Sequence, residues 1–185
     1  MLFLPRGALA GLCIALLAAC ATTPALAPGS ASFELTGRVA VHSAQEAASG
    51  QVFWRHGPAF DDLMISTPLG QGIAEIRRRS DRYTLTTADS QRISASDPEA
   101  LTEQVLGWRL PLAGLPDWVR GRAYSRAEGE VQYGDDARPH LIRQLGWKIE
   151  YLAYDDRLGL PSRLRLTRDG LDIRLTIDAW ATAPQ

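Results

Sequence analysis

The stretch Leu164-Arg165-Leu166-Thr167-Arg168-Asp169-Gly170-Leu171-Asp172-Ile173-Arg174-Leu175-Thr176-Ile177-Asp178 decides the fold of this chain. Leu171, Ile173, Leu175 and Ile177 alternate with Asp172, Arg174, Thr176 and Asp178, and Leu164 and Leu166 alternate with arginines. A period of two sends apolar side chains to one face of a strand and polar ones to the other. Asp169-Gly170 between the two runs is a tight-hairpin signal. The stretch predicts two antiparallel strands with one dry and one wet face.

The same grammar extends in both directions. Phe33, Leu35, Val39 and Val41 alternate with Glu34, Thr36, Arg38 and Ala40. Val52-Phe53-Trp54 is a short strand turning at Gly57-Pro58, and residues 63–67 and 73–76 flank a turn at Pro68-Leu69-Gly70-Gln71-Gly72. Tyr83-Leu85-Thr87 and Ile93 repeat the pattern around Ala88-Asp89-Ser90, and residues 131–133, 141–145 and Trp147-Ile149-Tyr151 complete the strands. One insertion breaks the series. Ser96-Asp97-Pro98-Glu99 is a helix start with Ser96 in the capping-box position; Leu101, Val105 and Trp108 form one apolar stripe, and Gly107 and Pro111 end it. A shorter segment over 110–119 comes next, with Pro116 in its first turn, Trp118 and Val119 inward and Gly121 as its cap. The expected fold is mainly β: an incomplete, unclosed antiparallel β-barrel of about ten strands, apolar on its concave face. A flat sandwich also uses alternating strands, but one helical insertion around 96–121 between two strand sets suits a lid over a hydrophobic cavity.

The start of the chain fixes the compartment. Arg6 precedes the uncharged run 7–19, which has the build of a secretory signal and falls short of the roughly 20 apolar residues of a membrane span. Leu17-Ala18-Ala19-Cys20 resembles the lipobox of bacterial lipoproteins. That resemblance implies cleavage before Cys20, a diacylglycerol on its thiol and an acyl chain on its amine, which exceeds the two signals needed for stable anchoring. Position 21 is Ala and not the Asp that holds such proteins at the inner membrane, so the expected destination is the periplasmic face of the outer membrane of a Gram-negative bacterium. Residues 20–31 are rich in Ala, Thr, Pro, Gly and Ser and read as a tether, leaving 32–185 as one domain. Loss of Arg6 takes the net charge from −1 to −2, so there is no basic excess for nucleic acid. With Cys13 removed and Cys20 acylated, no thiol is left for a disulfide.

The search for catalysis finds no Gly-x-Ser-x-Gly turn, no His-Glu-x-x-His and no phosphate loop. His42, His56 and His140 lack ligand spacing and read as strand-end or loop residues. The pairs Asp61-Asp62, Asp135-Asp136 and Asp155-Asp156 read as turn residues. No metal or other cofactor is expected, and a binding protein is the class that remains.

Several stretches together resemble the LolB family of outer-membrane lipoprotein receptors: Leu35-Thr36-Gly37-Arg38-Val39-Ala40-Val41, Gly50-Gln51-Val52-Phe53-Trp54, Ser66-Thr67-Pro68-Leu69-Gly70-Gln71, Leu85-Thr86-Thr87-Ala88-Asp89, Leu106-Gly107-Trp108-Arg109-Leu110-Pro111-Leu112 and Leu115-Pro116-Asp117-Trp118-Val119-Arg120-Gly121. The match spans about 33–180. It implies a monomer that accepts client lipoproteins from the periplasmic carrier LolA by their acyl chains and passes them into outer-membrane lipid without ATP. The same resemblance implies that Leu69, between Pro68 and Gly70, touches the membrane at the tip of a protruding loop. Expected cavity residues are Trp54, Ile65, Leu85, Trp147, Ile149 and Tyr151 from the sheet, with Trp108 and Trp118 from the lid; plain core packing is the alternative for each. The chain departs from the family in having only the low-complexity tether where relatives carry a longer segment before the first strand. A scaffold lipoprotein with a packed sheet is the competing function, and a cavity would separate the two.

Overall fold

The computed structural model describes residues 32–44 and 47–182. The expected signal, Cys20 and the tether lie outside the described residues. Eleven strands form one antiparallel sheet: β1 (Phe33–His42), β2 (Ala47–Gly57), β3 (Phe60–Ser66), β4 (Gly72–Arg79), β5 (Arg82–Thr87), β6 (Arg92–Ala95), β7 (Gly129–Tyr133), β8 (Pro139–Gln144), β9 (Trp147–Tyr154), β10 (Pro161–Arg168) and β11 (Leu171–Thr182). That is one strand more than the alternation suggested. The order is β6-β5-β4-β3-β2-β1-β11-β10-β9-β8-β7, and β6 and β7 are free edges, so the barrel is unclosed. Both halves are simple meanders. They meet where β1 pairs with β11, and the connection from β6 to β7 carries α1 (Pro98–Leu106) and the single turn α2 (Leu115–Trp118).

Local chemistry explains the elements. Asp169 and Gly170 both take positive φ, 47° and 81°, as a two-residue hairpin between twisted strands requires. Leu145 and Gly146 do the same between β8 and β9. The α1 cap is Asp97 and not Ser96: its carboxylate accepts from the Glu99 and Ala100 amides at 3.0 and 3.2 Å. Pro98 occupies the first turn and Gly107, at φ 78°, ends the helix. Trp118 and Val119 are buried as their position in the second segment predicts, although α2 is capped by Val119 and Gly121 lies beyond it.

Register lines the concave face in rungs. Leu35, Trp54, Leu63, Ile76, Leu85 and Ile93 stand opposite one another across six strands, and Gly37, Val52, Ile65 and Ala74 form the next rung. Gly37 sits at a β1–β11 irregularity where a Cβ would come 2.2 Å from the Thr176 carbonyl oxygen. No side chain fits there without moving one strand of the central pair. Gly37→Val is therefore expected to destabilise the fold by about 2–3 kcal/mol. The measurement is the urea unfolding midpoint, which should fall at unchanged slope; an unmoved midpoint would show that the two strands are less tightly held.

Candidate functional site

Between the concave face and the connection over it lies a wholly apolar cavity of about 50 Å³. Its walls are Leu35, Val39, Val52, Trp54, Leu63 and Ile65 from β1–β3, Leu166, Ile173 and Leu175 from β10–β11, and Trp108, Leu110 and Leu115 from the cover. Of the eight lining residues expected from the sequence, Trp54, Ile65 and Trp108 are among these walls. The other five are not. Leu85, Trp118, Trp147, Ile149 and Tyr151 are buried in the surrounding core and do not line this cavity. The four strand residues among them do face inward, but parity gives the face and not the distance from the cavity. A cavity of this size is well short of the roughly 300–1,000 Å³ of typical ligand pockets. Admitting an acyl chain requires the cover to move.

The cover has two mechanically different parts. Its second part is pinned by buried hydrogen bonds. The Trp118 indole donates to Gln144 Oε1 at 2.9 Å, the Tyr124 amide donates to the same oxygen at 2.8 Å, and Gln144 Nε2 donates to the carbonyls of Tyr124 and Ala127 at 2.8 and 2.6 Å. The Tyr151 hydroxyl donates to the Trp118 carbonyl at 2.8 Å. Burial pushes that phenol far above its ordinary pKa, so it remains a donor at physiological pH. Gly114 makes room for the Trp118 ring, since a Cβ there would lie 2.4 Å from it. The first part is held more lightly. Helix α1 packs on β5 and β6, and Thr102 joins it to the chain beyond Gly107 by donating to the Glu99 carbonyl at 3.0 Å and accepting from the Leu110 amide at 2.9 Å. Residues 98–110, the flap, are thus joined to the sheet more lightly than the second part, the foot.

One rung of the concave face is polar, and reading the sequence alone missed it. Phe33, His56, Asp61, Arg78 and Tyr83 stand opposite one another, each two residues from a member of the apolar Leu35–Leu85 rung. Asp61 belongs to β3 and is buried, so Asp61 and Asp62 are strand residues and not the turn pair expected. Its carboxylate accepts from Trp54 Nε1 at 2.9 Å, from the His56 ring at 2.7 Å and from Arg78. Arg78 also donates to the carbonyls of Gly57 and Phe60 at 2.9 and 3.1 Å. His56 does stand near the end of β2, but its ring is largely covered and stacks on Phe33 at 5.0 Å between ring centres. Next to this rung Arg120, whose pKa burial lowers, lies 5.3 Å over the Phe33 ring and pairs with Asp117 at 3.1 Å. The signal was available in the alternation, because His56, Asp61 and Arg78 keep the parity of Trp54, Leu63 and Ile76. Among the described residues no group of His, Cys, Asp and Glu could hold a metal ion.

At the opposite end of the strands the β3–β4 turn protrudes. The Gly70 amide donates to the Thr67 carbonyl at 2.9 Å, the Thr67 amide to the Gln71 carbonyl at 2.8 Å, and the Gln51 side chain to the Pro68 carbonyl at 3.3 Å. Gly70 takes the positive φ of 86° that this turn needs. Leu69 at its tip is 93 % exposed and packs on nothing. The turn thus holds an apolar side chain clear of the sheet, at a position where polar residues are usual.

Gln144 supports the foot with four hydrogen bonds from one buried side chain. Gln144→Ala is expected to cost about 2–4 kcal/mol by leaving the Trp118 and Tyr124 donors unpaired. Faster amide exchange confined to 112–127 would trace the loss to the foot, and unchanged exchange there would refute the assignment.

Known proteins share this architecture and much of this sequence. The family model described as "Outer membrane lipoprotein LolB" matches residues 31–180. The outer-membrane lipoprotein LolB of Thiobacillus denitrificans is 41 % identical over 155 residues, covering 83 % of this chain and 82 % of that protein. The protein of the same name from Dechloromonas aromatica is 34 % identical over 187 residues, covering 94 % and 96 %. Among solved structures, a DUF1329 family protein from Desulfovibrio piger superposes with a TM-score of 0.54 at 7 % identity, covering 83 % of this chain and 86 % of that one, which is a likeness of fold alone.

Proposed function

The chain belongs to the LolB family of outer-membrane lipoproteins, and on that premise we propose that it is a receptor for acylated lipoproteins in transit. It takes a client from a periplasmic carrier of the LolA kind, shelters the acyl chains between sheet and cover, and releases them into the outer membrane without ATP. Cys20, acylated on its thiol and amine, anchors it on the periplasmic face. The observation that carries this reading is the apolar cavity between the concave face and its lightly held cover.

The physical demand is severe. If about forty client methylenes had to enter water at about 0.8 kcal/mol each, the exposed intermediate would cost roughly 30 kcal/mol. Trp54, Ile65 and Trp108 would meet the chains first, and the five deeper residues would support that wall. Leu69, held clear of the core by its turn, would enter the lipid surface while the client leaves. A leucine side chain inserted into lipid contributes about 2 kcal/mol.

The test uses the mature chain with Cys20→Ala, which is soluble without its anchor, mixed with carrier loaded with a labelled lipoprotein. Label recovered on this protein supports the receptor; label remaining on the carrier while the protein is folded overturns it. Leu69→Glu is expected to accept label as the parent does, since its side chain packs on nothing, and to deliver at least tenfold less of it to vesicles. Equal delivery would remove Leu69 from the mechanism.

A further inference from the structure

We propose that the polar pocket beside Trp147 is a headgroup subsite continuous with the acyl cavity, and that it holds the ester carbonyls of a client's diacylglycerol group. The proposal rests on the receptor reading. The pocket has a volume of about 420 Å³, the scale of a small-ligand site. Glu103, Trp108 and Arg109 of the flap form one side, and Trp147, Arg168 and Leu171 of the sheet form the other. Trp108 lines the apolar cavity as well, so the two spaces share a wall.

Trp147 supplies the specific chemistry. Its Nε1 is the one buried side-chain polar atom among the described residues without a hydrogen-bond partner. Natural proteins rarely leave such a donor unpaired, and where they do it points to a function. The other polar groups of the pocket are occupied: Arg109 donates to Glu103 at 2.9 Å, and Arg168 contacts Asp169 at 3.2 Å and Glu99 at 3.8 Å. The polar rung at the other end is likewise matched within itself, Asp61 serving Trp54, His56 and Arg78. A donor left over calls for an acceptor. Ester carbonyls accept and cannot donate, they carry no charge to desolvate, and in a diacylglycerol they sit where the hydrocarbon chains begin. In the closed state the N–H is sealed from solvent, so displacement of the flap is what would present it to a carbonyl.

Position supports the same ligand. The pocket includes Ser43 and Ala44, which come after β1, and Asp169 and Gly170, which join β10 to β11. The register puts these at the end of the strands that also carries the Leu69 turn, opposite the polar rung. A client with its esters here and its chains in the cavity has its headgroup at the end from which it would leave.

The experiment compares two synthetic diacylglyceryl-cysteine peptides of equal chain length, one ester-linked and one ether-linked. Each displaces a fluorescent acyl probe from the mature Cys20→Ala chain and from the same chain with Trp147→Phe. One net hydrogen bond predicts that the parent binds the ester form about fivefold to tenfold more tightly. Trp147→Phe should abolish that ratio, while the smaller ring lowers the unfolding midpoint through lost core packing. The ratio in the parent tests the proposal even if the variant folds poorly. Equal binding of both lipids by the parent overturns the subsite and leaves the acyl cavity standing. A ratio that survives intact in Trp147→Phe overturns the assignment to this indole. Failure of either lipid to displace the probe overturns the subsite and the receptor reading together.

Discussion

The pairing of β1 with β11 is the constraint on which the rest of the molecule depends. Because the first and last strands lie side by side in mid-sheet, each half of the chain meanders outward from that seam. The free edges are therefore β6 and β7, and the chain between them must cross the opening. The cover is a consequence of topology, not an attachment to it. The seam is built for close approach: Gly37 lies where a side chain would strike the Thr176 carbonyl, and Arg38 and Asp178 form an ion pair at 2.7 Å on the wet face. That exposed pair adds little stability. The buried contacts of Leu35, Val41, Ile173, Leu175 and Ile177 are what hold the two halves together.

The division of the cover into foot and flap comes from where its polar groups find partners. At the foot, Gln144 satisfies a tryptophan indole and three main-chain groups that would otherwise be buried and unpaired. Such a network is worth most when complete, so opening it piecemeal is unfavourable. Against this, the flap offers the sheet an ion pair from Glu99 to Arg168 at 3.8 Å, too long for a hydrogen bond. A nine-residue helix such as α1 is marginal by itself, and its cap and Thr102 keep it intact internally while leaving its docking to apolar contact. Apolar contact is non-directional. A client chain can replace it surface for surface, whereas it cannot replace the hydrogen bonds of the foot.

Most of the sheet was legible because alternation is a one-dimensional signal. The Asp169-Gly170 hairpin, the inward parity of Trp54 and Ile149, and the helix between Ser96 and Gly107 could be read without coordinates. Depth could not. Trp147 and Trp54 are indistinguishable by parity and residue type, yet Trp54 borders the apolar cavity while Trp147 borders two polar pockets. The polar rung escaped for a different reason. His56, Asp61 and Arg78 each look like a strand-end residue alone, and only the register of two strand pairs brings them together. Ser96 fits the capping box through the glutamate three residues later, but the proline at 98 favours Asp97 as the cap by placing itself in the first turn.

The two ends of the concave face are chemically unequal, and this gives transport a direction. One end is occupied by an aspartate, a histidine and an arginine that satisfy one another. Pushing hydrocarbon through that rung would separate buried charges, which is far costlier than displacing the flap's apolar contacts. An acyl chain can therefore extend up to the rung but not past it, and its polar head must remain toward the end bearing Leu69. The cover buries most of the apolar concave face, leaving a cavity of about 50 Å³. A client therefore gains the burial of its own chains less the contacts that the flap gives up. Release into a membrane requires that this net gain stay below what lipid offers, and the flap's contacts are what lower it.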